Sequence, residues 1–342
     1  MNFALLAVAL AALWQCRYRP GFDGRDCLSK ESTCAVNGIF VLFVFLRHFS
    51  QYISYGRFDR IFAALDRPAG QLIVVPFLFY SGYGIYCSIA RKGTAYVRQF
   101  PRQRILRVWY HFFLAILLYL VCGMLLGRKD SPADILLAFT GWRSIGNSNW
   151  YIFAVLCLYA FTYLAFLVWR RHPGAAVGTV FLLCGIYVAV MLPIKDRWWY
   201  DTVFAYPAGL ALGWYLSRRR LPDTPGRWAL AALVCLLLSA LTWRFRSSSI
   251  WVYACFVVVF CLDLVLLTMK IKVGNPILTF LGKYTFEIYI LQRIPMMLLE
   301  KWMPIRSIWK APYFVLSLAL TLALALLFRQ LTQRLDRALG LS

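Results

Sequence analysis

His48 closes an apolar run, Val36-Asn37-Gly38-Ile39-Phe40-Val41-Leu42-Phe43-Val44-Phe45-Leu46-Arg47-His48. Histidine suits proton transfer near neutral pH. At membrane depth it is costly, which makes it a functional-site candidate by default. Asn37 precedes it by eleven residues. That spacing is almost three helical turns, so both side chains lie on one face, roughly 16 Å apart at 1.5 Å per residue. Two roles fit His48. It acts as a general base that deprotonates a hydroxyl or relays an acyl group, or it bonds a neighbouring helix as structural glue. Arg47 points about 100° away round the helix.

Four other stretches carry candidate chemistry. In Arg98-Gln99-Phe100-Pro101-Arg102-Gln103-Arg104-Ile105-Leu106-Arg107-Val108-Trp109-Tyr110, Arg104 and Arg107 share a helical face by their three-residue spacing. Such forks grip phosphates well, although the same charges also serve to fix topology. Pro76-Phe77-Leu78-Phe79-Tyr80-Ser81-Gly82-Tyr83-Gly84-Ile85-Tyr86 combines small residues that allow close helix approach with two ligand-bonding candidates, Ser81 and Tyr83. In Leu281 to Arg293, Glu287 is a carboxylate within a span, and Lys283, one turn earlier, is its expected counter-ion. The competing role has Glu287 reaching His48 and orienting its imidazole. Tyr289 and Gln292 share a different face. In Gly146-Asn147-Ser148-Asn149-Trp150-Tyr151, Ser148 or Asn149 is the expected helix cap, and the two aromatics suit an interface.

The elements that position these groups are membrane helices. The chain is 61% hydrophobic, 17% aromatic and 15% charged, with a mean hydropathy of +0.65. Repeated apolar runs of about 20 residues define a polytopic helical protein. The fold class is all-α: a ten-helix core with spans near 35–55, 70–90, 105–126, 149–169, 175–193, 199–216, 228–244, 250–270, 276–297 and 311–329. Phe3 to Trp14 adds a short N-terminal helix. The expected organisation is an apolar helix and basic linker over 1–34, one transmembrane domain over 35–330, and a tail over 331–342.

The net charge of +23 does not indicate nucleic acid, because the basic residues are scattered over short loops as topogenic signals. Segments 16–34 and 91–107, the latter with six Lys and Arg, are assigned to the cytoplasm. The C-terminus is then cytoplasmic too, in a multi-pass protein of the cell membrane. Seven of the ten cysteines, Cys87, Cys122, Cys157, Cys184, Cys235, Cys255 and Cys261, lie in apolar runs, where a thiol acts as a small hydrophobe. No C-x-x-C pair occurs and the three histidines are far apart, so no metal site is expected.

Taken in order, these stretches resemble the membrane-bound acyltransferase-3 family, which includes bacterial O-acyltransferases of surface glycans. The resemblance covers most of residues 29–330. It rests on Gly38 to His48, Phe77-Leu78-Phe79-Tyr80-Ser81-Gly82-Tyr83, Arg104-Ile105-Leu106-Arg107, Asn149-Trp150-Tyr151 and Leu281 to Tyr289. Two positions depart from the family pattern. Asn37 stands where an Arg or Lys is common, and Gln292 lies near where a histidine often is.

The resemblance implies transfer of an acyl group, most often acetyl, from acyl-coenzyme A to a carbohydrate hydroxyl. Acyl-coenzyme A is the donor substrate, with no permanently bound cofactor. A glycan or lipid-linked sugar is the acceptor, and the lipid bilayer is the surrounding partner. The expected site has His48 and Glu287 as catalytic groups, and Asn37, Arg104, Arg107, Ser81 and Tyr83 around the donor. Trp150, Tyr289 and Gln292 would lie at the acceptor. Two other readings fit the same polar groups: an exporter of lipid-linked sugar or another anionic solute, and a membrane scaffold.

Overall fold

The computed structural model describes residues 1–21, 26–303 and 310–341. Residues 22–25 of the expected basic linker lie outside this range. The helices are α1 (Asn2–Leu13), α2 (Lys30–Phe49), α3 (Arg60–Ala69), α4 (Val75–Phe100), α5 (Arg107–Leu125), α6 (Pro132–Ala138), α7 (Trp150–Val168) and α8 (Pro173–Met191). They continue with α9 (Ala205–Leu216), α10 (Pro225–Arg244), α11 (Ile250–Lys270), α12 (Pro276–Lys283), α13 (Thr285–Leu291), α14 (Arg293–Trp302) and α15 (Lys310–Ala338). Strands β1 (Arg17–Tyr18) and β2 (Ile271–Lys272) pair antiparallel, with Arg17 opposite Lys272.

Local chemistry sets where several helices begin. Ser29 accepts from the Ser32 amide at the start of α2, and Asn275 from the Leu278 amide at the start of α12, each satisfying an otherwise unpaired donor. Proline opens α8, α10 and α12, where its missing N–H costs nothing. α15 continues to Ala338, so the expected tail is mostly a continuation of the last helix.

Among the described residues, seven segments are long and apolar enough to cross a bilayer: Lys30–Tyr52, Gly70–Leu125, Trp150–Val168, Pro173–Met191, Pro225–Arg244, Ile250–Lys270 and Lys310–Ala338. The chain is therefore a multi-pass membrane protein. The expected ten helices do not appear as ten separate long helices, for three physical reasons. Gly70–Leu125 joins the second and third expected spans through a break at Gly93, whose φ of 60° and ψ of −144° suit glycine alone. The sixth expected span yields only the 12-residue α9. The ninth is divided among α12, α13 and α14, with a break at Tyr284 (φ −107°, ψ 14°) and a joint at Gln292.

Two pairs of reciprocal glycine crossings bring helices to backbone contact. A Cβ on Gly82 would stand 2.1 Å from the Tyr206 carbonyl oxygen, and one on Gly209 would stand 1.9 Å from that of Phe79. These positions join α4 to α9. Gly38 and Gly282 do the same for α2 and α12, where the corresponding distances are 2.1 Å to Leu278 O and 1.8 Å to Cys34 O. Among lipid tails there is little hydrophobic drive between helices, so such close van der Waals contact is a main source of association.

Two apolar cores result. One gathers α4, α7, α8, α9 and α11. The other gathers α1, α2, α5, α13, α14 and α15. The interface between the two cores holds the polar groups described next.

Candidate active site

A cavity of about 640 Å³ lies between the two cores. α2 supplies Lys30, Thr33, Cys34 and Asn37 to its wall, and α4 supplies Phe77, Tyr80 and Ser81. Tyr151 and Tyr159 come from α7, and Thr285 and Tyr289 from α13. Lys30, Arg104, Lys283 and Arg329 bring four cations to this wall. Lys30 begins α2 and His48 nearly ends it, so the cationic and histidine ends are about 27 Å apart along the helix.

Arg104 sits in a π-helical turn, Pro101–Leu106, and its Nε donates to Tyr96 Oη at 2.9 Å. The π-turn is wider than an α-turn, so the three-residue spacing no longer stacks Arg107 over Arg104. Arg107 is instead paired with Asp336 of α15 at 2.7 Å. His111 holds the same carboxylate at 2.9 Å. Of the two arginines expected to share a ligand, Arg104 lies on the cavity wall and Arg107 against α15.

Glu287 is buried but does not line the cavity. Positions two apart on a helix point about 200° from each other, so Tyr289 faces the cavity and Glu287 turns toward α15. Its carboxylate lies 4.0 Å from Arg329 Nε. The expected Lys283 pairing is not formed. Arg329 also donates to the Lys283 carbonyl and covers the Tyr284 ring at 4.5 Å. Nor does Glu287 touch His48, so the orienting-carboxylate alternative has no contact to support it.

The same helical phase separates the other expected groups. Ser81 lines the cavity and bonds Tyr159 Oη at 2.9 Å. Tyr83 is outside it, packed on the α4 core. Trp150 is also outside, its ring edge-on to Tyr151 at 5.8 Å, and Tyr151 takes the cavity face. Asn37 lines the cavity, as do Tyr80 and Tyr289, whose hydroxyl also meets Ser148. Together with Ser81 they give the wall hydrogen-bonding groups beside its cations.

His48 lies beyond the inner end of the cavity. Its ring is 6.0 Å from that of Tyr289, which in turn is 5.0 Å from that of Tyr151. His48 Nε2 faces Ser148 Oγ at 3.4 Å. Arg293 Nε donates to the same Ser148 Oγ at 2.9 Å, and its Nη1 to Tyr52 Oη at 3.3 Å. Gln292 is fully buried beside His48, with its amide nitrogen on the Tyr289 carbonyl at 3.2 Å. Asn149 stands at the N-cap position of α7, as expected, but makes no side-chain cap bond. Asn149 donates to the Gly141 carbonyl at 2.7 Å, and Ser148 turns to His48.

Tyr80, Tyr151, Ser148, Arg293 and Arg329 escaped the sequence reading. Tyr80 and Tyr151 each adjoin a residue that was singled out. Ser148 carries the sequence pattern of a helix cap, and no sequence signal points from Arg293 to Ser148.

A polar cavity among membrane-spanning helices, cationic on its wall and ending at a tyrosine beside a buried histidine, defines a membrane protein with a candidate site between its helices. A family model described as an acyltransferase domain matches residues 35–330. The chain belongs to the acyltransferase-3 family and is a membrane acyltransferase. Comparison with curated proteins and with solved structures gives no match.

Proposed function

We propose that this acyltransferase takes an acyl group, acetyl first of all, from acyl-coenzyme A and delivers it to a hydroxyl of a carbohydrate or surface glycan. The observation that carries this reading is the polarity of the cavity. Cations line its wall, and its inner end stops at Tyr289, against His48. Coenzyme A is polyphosphorylated at one end and carries its thioester at the other. Arg104, Lys30, Lys283 and Arg329 would hold the phosphates, with Arg104 giving the directional fork that lysine lacks. The thioester arm would then run past Asn37, Ser81 and Tyr80 toward Tyr289.

In this reading His48 accepts the proton as an attacking hydroxyl forms its new bond. Tyr289, whose ring ends the cavity beside His48, is the best-placed donor to the oxyanion that develops on the carbonyl. Ser81, already bonded to Tyr159, is a weaker candidate for that task. Glu287 keeps Arg329 at the donor end and takes no proton. The Lys and Arg bias assigns the cationic end to the cytoplasm, where coenzyme A resides, and the His48 end to the outer face, where a glycan is reached. Donor and acceptor then approach from opposite sides of the membrane.

The test is release of free coenzyme A by the purified full-length protein, with acetyl-coenzyme A and a membrane glycan fraction supplied. Thiol release matched by a new glycan ester supports the reading. Coenzyme A binding with no thiol release overturns it and favours transport.

A further inference from the structure

Ser148 is a buried hydroxyl that the reaction described above does not use. It is 6% exposed and lies at the meeting point of three functional groups. Arg293 can only donate hydrogen bonds, so at 2.9 Å from Arg293 Nε the serine oxygen is an acceptor. Its single proton then has two acceptors in reach, His48 Nε2 at 3.4 Å and the Tyr289 hydroxyl. With the proton on the His48 side, the imidazole presents its basic lone pair on Nε2 and carries its hydrogen on Nδ1. Gln292 is the hydrogen-bond partner on the other side of the ring, and its Oε1 is the acceptor beside Nδ1. The third neighbour is the Tyr289 hydroxyl, which faces Ser148 from the cavity side.

The loop that carries Ser148 is held firmly. Ser144 Oγ donates to the Asn147 carbonyl at 2.6 Å, and Asn147 Oδ1 accepts from the Ile145 amide at 3.0 Å. Gly146 has a φ of 98°, and a Cβ there would stand 2.5 Å from Arg128 Nη1. A serine fixed between a histidine base, an arginine and a phenol has the parts of an activated nucleophile. The 3.4 Å separation is long for such a pair, as catalytic hydrogen bonds commonly are outside the Michaelis complex.

We infer that Ser148 carries the acyl group between donor and acceptor as a serine ester. The inference rests on the proposed donor reading and deepens it. In the first step Ser148 Oγ attacks the thioester carbonyl, and its proton passes to His48 Nε2. The C–S bond breaks, and the coenzyme A thiolate leaves with that proton. In the second step the acceptor hydroxyl attacks the serine ester, and its proton passes to the same nitrogen. The bond from the carbonyl carbon to Ser148 Oγ breaks, and the serine recovers the proton. No oxidation or reduction occurs. Arg293 offsets the negative charge forming on Ser148, and Tyr289 that on the carbonyl oxygen. A stationary ester suits a site whose donor and acceptor enter from opposite sides.

An ester intermediate makes the first step reversible without acceptor. The experiment is isotope exchange between labelled free coenzyme A and acetyl-coenzyme A, catalysed by the purified protein with no glycan present. The expected result is exchange in the wild type, with one acetyl adduct on the peptide containing Ser148. Ser148→Ala should lower both exchange and transfer by roughly a hundredfold or more. Ser148→Cys keeps the size of the side chain and should carry the label as a thioester, released by neutral hydroxylamine. A wild type that transfers to glycan but shows no exchange overturns the serine ester and leaves the donor reading standing. So does exchange that survives in Ser148→Ala, or label on His48 or Tyr289. A wild type that releases no thiol, with or without glycan, overturns both.

Discussion

Arg104 and Arg107 look equivalent in the sequence and are separated in the structure, so their alanine variants should behave differently. Arg104 lines the cavity, and its guanidinium is held by Tyr96 Oη at 2.9 Å. Replacing it by alanine removes a preorganised cation from the proposed phosphate site. A charge-assisted hydrogen bond is worth about 1.5–3 kcal/mol, and about 1.4 kcal/mol is a factor of ten. Acetyl-coenzyme A should therefore bind roughly 10- to 150-fold more weakly to Arg104→Ala. Arg104→Lys should recover part of the loss, since charge returns without the fork.

Arg107 is committed elsewhere. Its side chain is 40% exposed and pairs at 2.7 Å with Asp336, which is 2% exposed. Arg107→Ala should leave donor affinity within about twofold and lower thermal stability instead, because a buried carboxylate loses a cation. His111, at 2.9 Å, limits that loss. Isothermal titration with acetyl-coenzyme A and thermal unfolding in the same detergent separate the two effects. Equal weakening of donor binding by both variants would refute the account of the π-turn, and no weakening by either would make both charges topogenic.

Three further variants test other joints of the structure. Gly282→Ala puts a methyl group 1.8 Å from the Cys34 carbonyl oxygen and should cost more than about 3 kcal/mol or prevent assembly, whereas Gly84→Ala, with open space around it, should unfold like wild type in a melting assay. Tyr289→Phe removes a hydroxyl that faces both cavity and Ser148, and the initial rate of acyl transfer should fall by about 100-fold with little change in donor affinity. Glu287→Gln should keep most of the transfer rate, because its carboxylate faces Arg329 at 4.0 Å and not His48. A loss as large as that of His48→Ala would return Glu287 to the catalytic group.

The class of fold and the stretches holding the site were legible because both rest on local patterns. Apolar runs of spanning length, breaks such as Arg171-His172-Pro173-Gly174, and the eleven-residue spacing of Asn37 and His48 can all be read from the chain alone. The inward face of each helix was not legible. In a bilayer the lipid-facing and core-facing sides are both apolar, so hydropathy does not tell Tyr80 from Tyr83 or Tyr151 from Trp150. Backbone irregularity defeated two further readings. The π-turn rotated Arg107 away from Arg104, and the break at Tyr284 turned Glu287 from Lys283 toward Arg329. The Ser148–Arg293 contact joins positions 145 residues apart, and local periodicity carries no information at that range.

The most direct measurement of the central claim is the rate of coenzyme A thiol release by purified wild-type and His48→Ala protein, with acetyl-coenzyme A and a glycan acceptor present. The account predicts release in step with ester formation in the wild type. It predicts a fall of roughly a hundredfold or more in His48→Ala, with donor affinity and melting temperature unchanged. Thiol release by His48→Ala within a few-fold of wild type would contradict it.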